Sequence, residues 1–170
     1  MRANPKAQPW EFPRLSLGEG RKSLVEIVAY CFNPNHYHFI LRQIEDDGIK
    51  KFMHRLGTAY TMYSNKRYKR SGSLFQGRFK AIHIDSNEYL LYLSAYVNQN
   101  HFIHGSEDKG WKYSSLAEYK KLHNGNVHIC NVDSVMKQFE DVEGYLEFLN
   151  VNALYLKDKK REQKYLLEDL

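Results

Sequence analysis

The chain has 170 residues, and 42% of them are hydrophobic, which is enough to build the core of one domain. Lys and Arg outnumber Asp and Glu by 25 to 20, and the net charge of +5 is compatible with a nucleic-acid partner without requiring one. Two cysteines exclude a disulfide framework, and no apolar run reaches the roughly 18 residues of a membrane span. Because the N-terminus also lacks the apolar region of a secretory signal, we expect a cytoplasmic protein with no membrane partner.

The first third of the chain predicts an irregular arm followed by two paired strands. Residues 1–22 hold three of the four prolines and show no periodicity. Residues 23–32 are β-branched and aromatic, which is typical of a strand, and residues 36–43 repeat that character. Asn33, Pro34 and Asn35 between them are turn residues, so the two strands should form an antiparallel pair.

Two histidines stand at the start of the second predicted strand. His36 and His38 are two residues apart, and alternate side chains of a strand share a face. Two imidazoles side by side can bind a divalent metal or a phosphate. They leave a metal site incomplete by themselves, and the alternative is that both rings only pack or form hydrogen bonds.

The middle of the chain alternates helical and irregular patterns. Apolar residues at helical spacing predict an amphipathic helix over 49–65, followed by a charged loop over 66–72. Residues 73–84 predict a partly extended segment that ends in a strand near 79–84. A capping signal at Asp85–Glu88 then predicts a helix over 87–99.

The last third of the chain is predicted to be helical throughout. Residues 111–122 contain a helical segment, Ser-Ser-Leu-Ala-Glu-Tyr-Lys-Lys, and the further helical segments are 132–139, 142–150 and a charged tail at 154–170.

A tyrosine and an asparagine lie one turn apart at the end of the predicted helix 87–99. Tyr96 and Asn100 could place a phenol nucleophile beside a metal that the amide helps to bind, and Gln99 is a second possible amide ligand. A phenol with a pKa near 10 is a weak nucleophile unless a cation or a metal assists it. For Tyr89 and Tyr92 the alternative of core or interface packing is preferred.

Residues 66–80 contain six Lys or Arg and no acid, with aromatics and glycines between them. Basic side chains neutralise phosphates and aromatic rings stack on unpaired bases, whereas a charge run alone is usually a solvated face. The candidate DNA-binding residues are Lys66, Arg67, Tyr68, Lys69, Arg70, Phe75, Gln76, Arg78 and Lys80.

Three motifs, in order, resemble those of the single-tyrosine HUH transposases, specifically the REP-associated tyrosine transposase branch of the IS200-like family. Ala-Tyr-Cys-Phe-Asn-Pro-Asn-His-Tyr-His resembles that branch's AYCLMPNHxH segment. Residues 65–80 resemble its N-(K/R)-(K/R)-Y-x-R-x-G-x-L-F-Q-G-R-F-K stretch, and Tyr-Val-Asn-Gln-Asn at 96–100 resembles its Y-I-x-L-N-P helix. The resemblance is strong over about 24–105, although His101 stands where the family has proline and Gln99 where it has leucine.

The resemblance implies a transposase that cleaves and rejoins single-stranded DNA. His36, His38 and Asn100 would be the ligands of a Mg²⁺ or Mn²⁺ ion, and Tyr96 would be the nucleophile that forms a 5′-phosphotyrosine intermediate. The DNA partner would be an element end that folds as an imperfect hairpin, held by residues 66–80. Relatives in the wider superfamily form dimers, so a homodimer is compatible with the resemblance.

The fold implied is α+β: a ferredoxin-like or RRM-like HUH endonuclease fold with a central antiparallel sheet, flanking helices and a C-terminal helical appendage. The expected domains are an arm at 1–22, the catalytic domain at 23–105 and a helical extension at 106–170. The family's first strand, with a Y-H-V-x-x-R-G segment, and the helix after it have no counterpart in residues 1–22, so we expect an N-terminally incomplete family member.

Two other classes of protein fit the same residues. A relative that has lost its activity could keep the basic stretch and bind hairpin or single-stranded DNA without cutting it. An unrelated metal-dependent hydrolase or RNA-binding domain could share a ferredoxin-like sheet, since a fold does not fix a function.

Overall fold

The computed structural model describes residues 22–107, 111–120 and 128–168, with side chains described as far as residue 161. These residues form an α+β fold, as the sequence predicts, whereas the predicted irregular arm lies almost wholly outside them. The elements are β1 Val25–Phe32, β2 Tyr37–Gln43, α1 Gly48–Tyr68, α2 Asn87–Asn98, α3 Asn100–Ile103, α4 Leu116–Tyr119, α5 Asp133–Met136 and α6 Val142–Glu168. None of the described helices has the length and apolar character that a membrane span requires.

The predicted strand pair is present and antiparallel. Its register sets Phe32 opposite Tyr37 and Cys31 opposite His38. The turn is closed by a hydrogen bond of 2.8 Å from the Asn33 N–H to the His36 carbonyl. On the other edge of β1, single-residue bridges join Ile27 to Cys130 and Cys31 to Ser114, so later parts of the chain partly cover that edge.

Helices cover both faces of the β1–β2 pair. The Phe39 ring meets Phe52 of α1 edge-on, with ring centroids 6.0 Å apart. The His38 ring meets Tyr96 of α2 in the same way at 5.4 Å. Because neighbouring residues of a strand point to opposite faces, α1 and α2 lie on opposite sides of the pair.

The core draws side chains from both sides of the expected domain boundary at residue 105. Val28 of β1 and Ala95 of α2 pack in one buried cluster with Tyr119 of α4 and with Tyr145 and Leu149 of α6. The hydroxyl of Tyr119 donates a 2.9 Å hydrogen bond to the Val28 carbonyl, which satisfies both groups inside the core. The C-terminal helices therefore help to hold β1 and α2 in place.

Four local predictions from the sequence were wrong. The helix predicted over 132–139 is limited to the four residues of α5. No strand forms at 79–84, where the chain is irregular and mostly exposed; Ile82 is 78% exposed. The helix predicted to end at residue 65 continues to Tyr68, since Lys66 and Arg67 are good helix formers and suit the negative end of the helix dipole. The helices predicted over 142–150 and 154–170 are continuous in α6.

The buried side chain of Leu149 provides a test of this shared core. We expect Leu149→Ala to lower the free energy of unfolding by about 2–5 kcal/mol, because Leu149 is 1% exposed and its removal leaves a cavity. Urea unfolding followed by circular dichroism measures the change. The matched control is Leu154→Ala on the same helix, where the side chain is 47% exposed and the decrease should be well under half as large.

Candidate active site

The β1–β2 turn and the junction of α2 with α3 bring the four predicted site residues into one cluster. His36 directly precedes β2 and His38 lies within it, and their ring centroids are 5.1 Å apart. The His38 ring contacts Tyr96, and His36 Nε2 lies 3.3 Å from Asn100 Oδ1. The nucleophile and metal ligands implied by the resemblance are therefore neighbours in the fold.

The break between α2 and α3 sets the direction of Asn100. Gln99 leaves helical geometry at φ −109°, and α3 begins at Asn100, whose side chain is fully buried. Just before the break, the buried amide of Asn98 donates to the Tyr145 hydroxyl at 2.8 Å and accepts from Ser115 Oγ at 2.6 Å. These bonds to α6 and to the start of α4 fix the end of α2, and Asn100, rather than Gln99, lies against His36.

The hydrogen bonds of His36 determine which ring nitrogen is free. Nδ1 lies 2.7 Å from the amide oxygen of Asn35, which can only accept, so Nδ1 carries the proton. Nε2 therefore holds a lone pair beside Asn100 Oδ1, which is also an acceptor. Metal-binding histidines are commonly oriented in this way, with the other ring N–H donating to an oxygen.

Two buried polar atoms in the cluster have no hydrogen-bond partner in the structure: His38 Nε2 and Asn100 Nδ2. Together, His36, His38 and Asn100 present two imidazole nitrogens and one amide oxygen, a donor set that suits Mn²⁺, or Mg²⁺ with bound waters. Within the ranges described, no group of three or more His, Cys, Asp or Glu side chains has the arrangement of a metal site. These residues thus fit a divalent cation only if the amide of Asn100 takes part.

Burial lowers the pKa of His38 to about 4, with smaller contributions from the nearby His36, His104 and Lys160. The ring is therefore neutral at neutral pH, and its lone pair is available to a cation. His104 and Lys160 were not predicted from the sequence: the His104 ring lies 5.3 Å from that of His36, and Lys160 Nζ lies 2.6 Å from His104 Nδ1. Lys160 brings a positive charge from α6 to the edge of the cluster.

The low pKa of His38 predicts a pH-dependent stability of the metal-free protein. Between about pH 6.5 and pH 4 the unfolded ring binds a proton that the folded ring does not. The free energy of unfolding should therefore fall as the pH is lowered through this window. Urea unfolding in the presence of a chelator measures it, and His38→Gln should flatten the curve. A wild-type curve as flat as that of the variant would contradict the prediction.

Asn33 is a site residue that the sequence analysis treated only as part of a turn. Its Nδ2 donates to Asn100 Oδ1 at 2.7 Å and lies 3.0 Å from His36 Nε2, while its Oδ1 lies 3.1 Å from Nδ1 of His101. His101 stacks on Trp111, with centroids 3.8 Å apart and an interplanar angle of 14°. Asn33 stands where the AYCLMPNHxH motif has methionine, and His101 where the family has proline, so these departures could have drawn attention to both residues.

The basic stretch lies at the end of α1 and in the irregular segment after it. Among the candidate DNA-binding residues, all except Phe75 are exposed. Phe75 packs edge-on against Tyr37, with centroids 5.7 Å apart, and near Tyr60 at 6.2 Å. Tyr37 lies between the two histidines and points to the other face of β2. Phe75 is therefore a packing residue on this face, whereas the basic side chains of the stretch are exposed to solvent.

The fold and the cluster define an α+β protein with two histidines at the start of β2, a helix amide and a tyrosine gathered at one place. Residues 19–100 match the family described as "Transposase IS200 like". This region contains all four residues of the cluster and the entire basic stretch, and the match supports the IS200-like transposase family, a DNA-processing role and a DNA substrate. No curated protein and no solved structure matches the chain.

Proposed function

We propose that this protein is a transposase of the REP-associated tyrosine branch, and that Tyr96 cleaves and rejoins single-stranded DNA. The observation that carries the proposal is the meeting of Tyr96, His36, His38 and Asn100 in one cluster inside the matched region. The substrate would be an element end that folds as a hairpin, and the protein would act in the cytoplasm.

The chemistry proposed is a transesterification at a DNA phosphate. The hydroxyl oxygen of Tyr96 attacks phosphorus, the bond to the 3′ oxygen breaks, and the DNA is left as a 5′-phosphotyrosine and a free 3′-OH. The phenol loses one proton and the departing 3′ oxygen gains one, so the step is balanced without ATP. Rejoining is the reverse attack by a 3′-OH.

His36, His38 and Asn100 would hold a Mg²⁺ or Mn²⁺ ion. When bound, such an ion polarises the phosphate and offsets negative charge in the transition state. The protein contributes the orientation: the Asn35 oxygen fixes the tautomer of His36, and burial keeps His38 neutral. The ring of Tyr96, which would carry the nucleophilic hydroxyl, contacts the ring of His38, which would be one of the ligands.

The exposed basic residues would contact the DNA backbone. We expect Lys66→Ala/Arg67→Ala to weaken binding of single-stranded DNA whatever its sequence, and to reduce the salt slope of log K by about 0.7 for each phosphate that the protein no longer neutralises. Fluorescence anisotropy at several salt concentrations measures both. The matched control is Lys50→Ala near the other end of α1, which should change neither quantity because that lysine lies outside the basic stretch.

The experiment that tests the proposal is a search for a covalent protein–DNA adduct. The protein is incubated with labelled single-stranded DNA that carries a hairpin, with Mg²⁺, and analysed on a denaturing gel. A labelled band that runs with the protein supports the proposal. Binding on a native gel without any adduct, across a panel of hairpins and with both ions, would favour the inactive DNA-binding protein. No binding at moderate salt would favour an unrelated metal-dependent or RNA-binding domain.

A further inference from the structure

The amide nitrogen of Asn33 forms a triangle with one atom from each of two proposed ligands, His36 and Asn100. Asn33 Nδ2 lies 2.7 Å from Asn100 Oδ1 and 3.0 Å from His36 Nε2, and those two atoms are 3.3 Å apart. In an octahedral Mg²⁺ site with bonds near 2.1 Å, adjacent ligand atoms are about 3.0 Å apart. The three atoms thus have the spacing of three neighbouring ligands. His36 Nε2 and Asn100 Oδ1 can bind a cation, but the Asn33 atom is an amide nitrogen that donates hydrogen bonds and cannot.

Donation by Asn33 and cation binding by His36 exclude each other. A neutral imidazole has one acceptor lone pair, and with the proton on Nδ1 that lone pair is on Nε2. In the structure it faces the amide N–H₂ of Asn33. If His36 is to bind a cation, the N–H₂ group of Asn33 has to turn away from it.

We propose that Asn33 is a further cation ligand, and that its side-chain amide turns over when the cation binds. This inference rests on the proposed cation site of His36, His38 and Asn100. Rotation of the amide by half a turn about its last side-chain bond exchanges Nδ2 and Oδ1 without moving the backbone. The hard amide oxygen, a common ligand of Mg²⁺ and Mn²⁺, then occupies the third corner of the triangle.

The rotation has a consequence for the neighbouring ring of His101. Without a cation, His101 Nδ1 faces Asn33 Oδ1 at 3.1 Å and donates to it. After the rotation it faces the amide N–H₂, so Nδ1 has to accept and the ring proton has to be on Nε2. The stacking of His101 on Trp111, whose Nε1 donates to the Phe32 carbonyl at 2.8 Å, holds the ring in place during this change.

The test combines Mg²⁺ affinity with the tautomer of His101. Long-range ¹H–¹⁵N spectra of the full chain, recorded at a pH where the ring is neutral, should show the proton on Nδ1 without Mg²⁺ and on Nε2 at saturation. By calorimetry, Asn33→Ala should bind Mg²⁺ about tenfold more weakly, and Asn33→Asp, which supplies oxygen at both positions, should bind more tightly than Asn33→Ala. The control is Asn131→Ala, which removes an amide bonded to Glu26, near the far end of β1 from the histidines.

The possible results separate this inference from the site on which it rests. If Mg²⁺ binds and His101 keeps its proton on Nδ1, Asn33 is not a ligand. If Asn33→Ala binds Mg²⁺ more tightly than the wild type, the amide only competes with the cation, and the inference is again overturned. If the wild type binds neither Mg²⁺ nor Mn²⁺, the cation site itself is absent and both proposals are wrong.

Discussion

Replacement of Tyr96 by phenylalanine should abolish the covalent protein–DNA adduct and leave DNA binding unchanged. The substitution removes only the hydroxyl, which is the proposed nucleophile. The ring is kept, so the fold should survive. It is half-buried and packs against His38, against the shared core and against a smaller buried group of Phe102, Ile103 and Ala153. A denaturing gel measures the adduct, and anisotropy with the same oligonucleotide measures binding.

Tyr92, one turn earlier on α2, offers a matched control. Its pKa is raised, mainly by burial, and the tyrosines at positions 155, 89 and 96 add to the effect. Tyr92→Phe removes a hydroxyl from the same helix near the site and should leave the adduct yield close to that of the wild type. If the two variants gave the opposite pattern, Tyr92 would be the nucleophile, and the cluster around His38 would have another role.

The part of the site that could be predicted from the sequence is the part that depends on local geometry. His36 and His38 were expected to share a face because side chains alternate along a strand, and Tyr96 and Asn100 were expected to be neighbours because a helix turns once in 3.6 residues. The structure breaks the helix at Gln99, between Tyr96 and Asn100. Local geometry could not predict the contact between the two pairs. This contact joins His36 to Asn100 across 64 positions and depends on how α2 packs on the sheet, so only the resemblance to a family could suggest it beforehand.

The failures also have physical causes. Residues 79–84 show a strand-like pattern, but a strand needs a partner, and no described strand pairs with this segment. Lys160 reaches His104 across 56 positions because α6 runs without a break past residue 153, which the division into two predicted helices concealed. Asn33 looked like an ordinary turn residue, since nothing local indicates that its amide meets Asn100.

Removal of one imidazole should have the second largest effect. We expect His36→Ala to reduce the rate of adduct formation by about 10³-fold, because removing a cation that stabilises the transition state costs several kcal/mol. It should also weaken Mn²⁺ binding measured by calorimetry. DNA affinity should be unchanged, since the proposed DNA-binding surface is the basic stretch and not His36. A chelator added to the wild type should likewise abolish the adduct, and excess Mn²⁺ should partly rescue the variant.

The comparison with His54→Ala distinguishes a ligand from a histidine that has no part in the site. His54 is exposed on α1, so its removal should alter neither adduct formation nor Mn²⁺ binding. If His36 served only to pack against His38 and His104, His36→Ala would lower the unfolding temperature while the adduct kept its rate and its dependence on Mn²⁺. Adduct formation by the wild type in excess chelator would show that the reaction needs no cation. The phenol of Tyr96 would then react with only the charges of the protein around it.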